Sequence, residues 1–127
     1  MDELEENRAL IVEDEPSIRN VCRRVLSDEG FEVDTADNGK SAQELVRKQQ
    51  YALLLADIRL PVMSGIELYD WLQKEYPQLS KNTVFMTGSV MGGETMTFLE
   101  RSGQPYMLKP FRPDELIEKI REARKEA

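Results

Sequence analysis

The chain has 127 residues, which suits one compact domain and leaves no room for a second. Its 40% hydrophobic content can build a core without staples, and a single cysteine excludes an internal disulfide, as expected of a reducing cytosol. The net charge of −7 argues against nucleic acid or anionic lipid as direct partners, and with no histidine any phosphoryl chemistry must rest on carboxylate, hydroxyl and lysine.

Met1 to Asn7 is a charged leader expected to fray, and the folded domain is expected over residues 8–127. Ala9-Leu10-Ile11-Val12 is the first apolar run. Ile18, Val21, Cys22, Val25 and Leu26 then recur at helical spacing, with Pro16 near the start and Gly30 at the stop. Phe31-Glu32-Val33-Asp34-Thr35 alternates apolar and polar residues, the pattern of an edge strand with one wet face. Ala42, Leu45 and Val46 mark a second helix opening after Asn38-Gly39. Ala52-Leu53-Leu54-Leu55-Ala56 is continuously apolar, as a strand covered on both faces should be. Leu68, Tyr69, Leu72 and Tyr76 mark a third helix, ended by Pro77. Thr83-Val84-Phe85-Met86 is a fourth strand, and Met96, Phe98 and Leu99 mark a fourth helix closed by Gly103. Pro105-Tyr106-Met107-Leu108 is short and bracketed by Pro105 and Pro110, which suits an edge. Leu116, Ile117, Ile120 and Ala123 mark a fifth helix beginning after Pro113-Asp114. Five strands alternating with five helices imply an α/β fold, a parallel sheet with helices on both faces. No signal peptide and no membrane-length apolar run is visible, so the expected location is cytoplasmic, without direct membrane contact by this chain.

Polar residues follow the central runs. Glu13-Asp14 ends the first strand, Asp57 the third, Thr87 the fourth and Lys109 the fifth. In a parallel sheet all carboxyl ends share one edge, where open α/β folds bind ligands, so these residues should converge. Three carboxylates crowded together repel unless a cation sits among them. Oxygen donors without His or Cys point to Mg²⁺, with Mn²⁺ as a substitute. Asp14 and Asp57 are expected as direct ligands, Glu13 through water, and the Arg59 backbone carbonyl as a further oxygen. A carboxylate can also act as nucleophile and form an aspartyl phosphate, with Lys109 and Thr87 neutralising charge on the phosphoryl oxygens.

Ile11-Val12-Glu13-Asp14-Glu15, Ala56-Asp57-Ile58-Arg59-Leu60-Pro61 with Ser64-Gly65, Met86-Thr87-Gly88-Ser89, and Lys109-Pro110-Phe111 occur in this order, each at a predicted strand end. On these motifs the chain resembles the receiver domains of bacterial two-component response regulators along nearly its whole length. The stretch from Met86 to Phe111 is similar to receivers attached to hybrid sensor histidine kinases. The resemblance implies a single flavodoxin-like (βα)5 domain with strand order 2-1-3-4-5. It implies a signalling domain rather than an enzyme, phosphorylated on Asp57 by the phosphohistidine of a histidine kinase or histidine phosphotransfer protein. It assigns Glu13 and Asp14 to the metal, Thr87 and Lys109 to the phosphoryl group, and Tyr106 to a switch that alters the surface of the fourth helix, fifth strand and fifth helix for a downstream target. It further implies a cis peptide before Pro110, and side chains of Arg59 and Ser89 that tune hydrolysis of the acyl phosphate.

The chain departs from the commonest pattern of that family in four places, one being Gln104-Pro105 before Tyr106, which is expected to shift the last strand. Glu13 stands where aspartate is more usual, Gly88 where alanine is usual, and Gly92-Gly93 loosen the start of the fourth helix. Each motif alone has an ordinary reading: Glu13-Asp14 as helix-capping acids, Thr87 as a strand-end hydroxyl, Lys109-Pro110 as a turn. Their joint occurrence reverses those readings, whereas Tyr106 fits a switch and edge packing equally. Cys22 belongs to the core. An aspartate-nucleophile phosphatase of the haloacid dehalogenase type would place a second Asp where Arg59 stands, and a nucleotide-binding module would carry a P-loop or G-x-G-x-x-G, which is absent. The remaining alternative is a pseudo-receiver, an interaction module that is never phosphorylated.

Overall fold

The computed structural model describes residues 7–89 and 93–124. Five strands, β1 (Arg8–Val12), β2 (Glu32–Ala36), β3 (Leu53–Asp57), β4 (Thr83–Thr87) and β5 (Tyr106–Leu108), form one parallel sheet in the order β2-β1-β3-β4-β5. Between and after them run α1 (Pro16–Asp28), α2 (Gly39–Lys48), α3 (Gly65–Glu75), α4 (Pro77–Lys81), α5 (Gly93–Ser102) and α6 (Pro113–Arg124). The α/β architecture and strand order are those expected. The leader up to residue 6 and Gly92 lie outside the described residues.

The two-residue period of the strands builds two apolar layers from one sheet. Leu10, Val12, Leu54, Ala56 and Phe85 face α2, α3 and α5, where they meet Ala42, Val46, Leu68, Leu72, Phe98 and Leu99. Their neighbours Ala9, Ile11, Leu53, Leu55, Val84 and Met86 face α1 and α6, against Cys22, Leu26, Leu116 and Ile120. Burying one large side chain contributes about 1.5–3 kcal/mol, so each layer is strongly held. In the first layer Tyr69, Phe85 and Phe98 meet edge-to-face, with ring centroids 5.1–5.6 Å apart. The central strands β3 and β4 are buried at every position, which is why they read as unbroken apolar runs.

Several boundaries move from the sequence expectation. Pro77 does end α3, but it also begins α4, a one-turn helix the periodicity does not reveal. Proline cannot continue a helix yet is pre-set for its first position, and Ser80 Oγ donates back to the Pro77 carbonyl at 2.7 Å. The helices expected fourth and fifth are therefore α5 and α6. Gly39 and Pro113 lie inside their helices rather than before them, and Asn38 caps α2 by accepting the Ser41 N–H at 2.8 Å. β2 starts one residue late and ends at Ala36, leaving Phe31 to pack in the second layer. Strands β3 and β4 extend one residue further than their apolar runs, to Asp57 and Thr87.

Cys22 is fully buried, with its Sγ 3.9 Å from Met86 Sδ, and burial pushes its thiol up to about 12, helped by the nearby Glu13 charge. Only the thiolate reacts with alkylating reagents. Iodoacetamide at pH 8 is therefore expected to label Cys22 only as fast as the protein opens, and readily in guanidinium chloride. Equal labelling of folded and denatured chain would contradict this packing.

Candidate functional site

The end of β1 carries Glu13 and Asp14 into the turn before α1. The Glu13 N–H donates to the Ala36 carbonyl at 3.0 Å, and the Glu15 N–H donates to Glu13 Oε2 at 3.1 Å. This turns the Glu13 side chain inward, where it is fully buried, while Asp14 stays exposed. At the end of β3, Asp57 is 4% exposed and its Oδ1 accepts the Arg59 N–H at 2.9 Å. The Ile58 N–H donates to the Met86 carbonyl and the Gly65 N–H to the Ile58 carbonyl, at 3.0 and 2.8 Å, which closes the chain around the aspartate. A Cβ at Gly65 would lie 2.3 Å from the Asp57 carbonyl oxygen, so any larger residue would push this strand end aside. Ser64 and Glu67 form a reciprocal capping box that starts α3 from there.

Lys109, at the end of β5, reaches across β4 to the acids. Its backbone N–H donates to the Thr87 carbonyl at 2.9 Å, and the peptide joining it to Pro110 is cis. Its ammonium hydrogen-bonds Asp57 Oδ2, lies 2.7 Å from Glu13 Oε1 and 3.5 Å from Glu15 Oε1. Among the described residues, Lys109 is the one cationic partner at Glu13 Oε1, which is otherwise enclosed away from solvent. Burial therefore pushes the Glu13 carboxyl up to about 7, although Lys109 and the Glu15 N–H work in the other direction. Burial alone would lower Lys109, but its contacts with Asp57 and Glu13 prevail and raise it above the usual lysine range.

Glu13, Asp14 and Asp57 each offer an oxygen lying within 4.8 Å of the other two. One ammonium cannot neutralise three such carboxylates. Hard oxygen donors, a local excess of negative charge and the burial of two of the three carboxylates together fit a divalent cation such as Mg²⁺.

The remaining residues singled out from the sequence fall at different places. Thr87 lies one residue beyond Met86, which pairs with Asp57, and its hydroxyl is engaged by Ser89: it donates to the Ser89 carbonyl at 2.9 Å and accepts the Ser89 N–H at 3.3 Å. Tyr106 is half-buried against the layer of α2, α3 and α5. The Arg59 side chain is exposed, and the contact this residue makes with Asp57 is through its backbone N–H. Three features were not read from the sequence. Glu15 joins the charge cluster around Lys109. Val62 adopts φ 68° within a turn in which the Met63 N–H donates to the Pro61 carbonyl at 2.7 Å. Arg19 donates to the Glu13 backbone carbonyl at 2.9 Å. A β-branched residue at positive φ is strained, and the Pro-Val-Met string carries no glycine to announce it.

The chain is similar to known proteins over most of its length. The sequence model of the response regulator receiver domain matches residues 9–121. The transcriptional regulatory protein SrrA of Staphylococcus aureus is 34% identical over 117 residues, which cover 91% of this chain and 46% of that protein. The chain thus spans about half the length of the curated relatives it matches. A CheY-like receiver domain protein from Methanospirillum hungatei superposes with a TM-score of 0.85 at 32% identity, over 94% of both chains. The response regulator TrrA of Thermotoga maritima, solved in complex with Mg²⁺ and BeF, superposes with a TM-score of 0.79 at 31% identity, over 92% of this chain and 98% of that one.

Proposed function

The chain belongs to the response regulator receiver domain family of two-component signalling, and from that premise we propose that Asp57 accepts a phosphoryl group and that the charge it brings switches the domain's surface. The observation that carries this reading is the meeting of Asp57, Glu13 and Lys109 at one sheet edge, with Asp14 beside them. A carboxylate oxygen of Asp57 attacks the phosphorus of a phosphohistidine on a histidine kinase or histidine phosphotransfer protein. The P–N bond breaks, its electron pair stays with the imidazole, and Asp57 becomes an aspartyl phosphate. Glu13, Asp14, Asp57 and the Arg59 carbonyl would hold Mg²⁺, which supplies positive charge to the phosphoryl oxygens when bound. Lys109, paired with Asp57 Oδ2 beforehand, transfers its ammonium to the new phosphoryl oxygens, and the Thr87 hydroxyl leaves Ser89 to do the same.

The Thr87 movement opens room for the half-buried Tyr106 ring to turn inward, changing the face formed by α5, β5 and α6. Phosphate need only favour one of two arrangements for this to signal to a downstream protein. Arg59 and Ser89 border the site and set how long the acyl phosphate survives. No helix among the described residues is long and apolar enough to cross a membrane, and we place the domain in the cytoplasm, where its kinase would act.

Acetyl phosphate can replace the protein donor, leaving acetate as the product. Incubation with it and Mg²⁺ is expected to add about 80 Da to the intact mass, the increment of one phosphoryl group on one nucleophile. Omission of Mg²⁺ should suppress the adduct. A chain that stays unmodified under both conditions would be a pseudo-receiver.

A further inference from the structure

We propose that Arg19 is a positioning residue for this site: its guanidinium fixes the peptide joining Glu13 to Asp14 in the orientation that cation binding requires. The inference rests on the reading of Glu13 and Asp14 as metal ligands. β1 ends at Val12, whose partners are Ala36 on one side and Ala56 on the other. Beyond that rung the Glu13 N–H still reaches the Ala36 carbonyl, but the Glu13 carbonyl has passed the end of the ladder. Arg19 Nη1 donates to it at 2.9 Å. A hydrogen bond from a charged donor is about twice as strong as a neutral one.

The carbonyl it holds lies between the two acids, so rotation of that peptide would swing Asp14 relative to Glu13. The anchor itself is firm. Arg19 sits in the first turn of α1, its own N–H bonded to the Glu15 carbonyl at 3.0 Å, and the helix is packed on the sheet through Cys22 and Leu26. A loop carrying two ligands is thus tied to a helix that is tied to the sheet.

Charge and position make opposite predictions for this arginine. A guanidinium near a cation site repels the cation, so its removal would tighten Mg²⁺ binding if charge were its only effect. A lost positioning contact weakens binding, and outer-shell partners of metal ligands typically contribute about 10–100-fold in affinity. Isothermal titration of Mg²⁺ into wild type, R19M and R23M separates the two. Expected are a dissociation constant about tenfold higher for R19M and little change for R23M, which removes the same charge without touching Glu13. Equal effects of R19M and R23M, or tighter binding by R19M, would overturn the proposal. Thermal melts without Mg²⁺ establish that each variant is folded. If R19M does not fold, R19Q is titrated instead, whose shorter neutral side chain loses the contact, and affinity equal to wild type in R19Q overturns the proposal. A wild-type chain that binds no Mg²⁺ would instead refute the metal-site reading on which it rests.

Discussion

Asp57→Asn is expected to remove the phosphoryl adduct entirely while the fold persists. The amide matches the carboxylate in shape and keeps the Arg59 N–H to Oδ1, and Lys109, which loses its ion pair with Asp57, still has Glu13 as a partner. What it lacks is the anionic oxygen. An amide oxygen is a poor nucleophile and cannot form a mixed anhydride with phosphate, so acetyl phosphate should leave the mass unchanged. A second consequence separates chemistry from metal binding. A ligand that binds only the folded state at a hundred times its dissociation constant stabilises by about 2.7 kcal/mol. Wild type should show such a gain in thermal melts with Mg²⁺, and Asp57→Asn a much smaller one, because one of the three carboxylates is gone. An adduct that forms on Asp57→Asn at the wild-type rate would mean that another residue is the acceptor.

The edge of the sheet was legible because its chemistry follows directly upon apolar runs. Leu53-Leu54-Leu55-Ala56 reads as a strand covered on both faces, and an aspartate placed immediately after such a strand sits at the carboxyl edge. The same logic located Glu13, Thr87 and Lys109. Interactions that depend on the path of a loop were not legible. The sequence does not reveal that the side chain of Arg19 folds back to a carbonyl six residues earlier, or that Glu15 extends toward Lys109. Pro77 was legible as a stop but not as a start, since one residue type has both meanings. Glu13 shows a further limit: its place in the chain marked it as an acid of the site, but its complete burial follows from the backbone bonds to Ala36 and Glu15, which no periodicity encodes.

That burial makes Lys109→Ala the more demanding test. The substitution removes the ammonium that balances Glu13 and Asp57, both nearly inaccessible to water. Removing one partner of a buried pair typically costs about 3–5 kcal/mol, because the other charge is left behind. Here the cost should depend on pH, because Glu13 can escape its charge by taking up a proton. Its carboxyl stands at about 7 in the fold, raised by burial from 4.5, and Lys109 is one of the groups holding it down. A carboxyl raised by folding contributes stability that is complete below its unfolded value and is lost as pH rises through its folded value. Wild type without Mg²⁺ should therefore lose this contribution between about pH 4.5 and 7. In Lys109→Ala the folded value moves higher still, so the loss continues to higher pH and grows larger. Melting curves of the two proteins in EDTA should lie closest near pH 5 and diverge toward pH 8, and Mg²⁺ should narrow the gap by supplying the missing positive charge. Phosphorylation by acetyl phosphate should fall by about 10²–10³-fold even where the variant is fully folded, the scale for losing one preorganised electrostatic donor. A stability difference independent of pH would mean that the lysine is held by packing and not by these carboxylates. A folded variant phosphorylated at the wild-type rate would remove Lys109 from the chemistry.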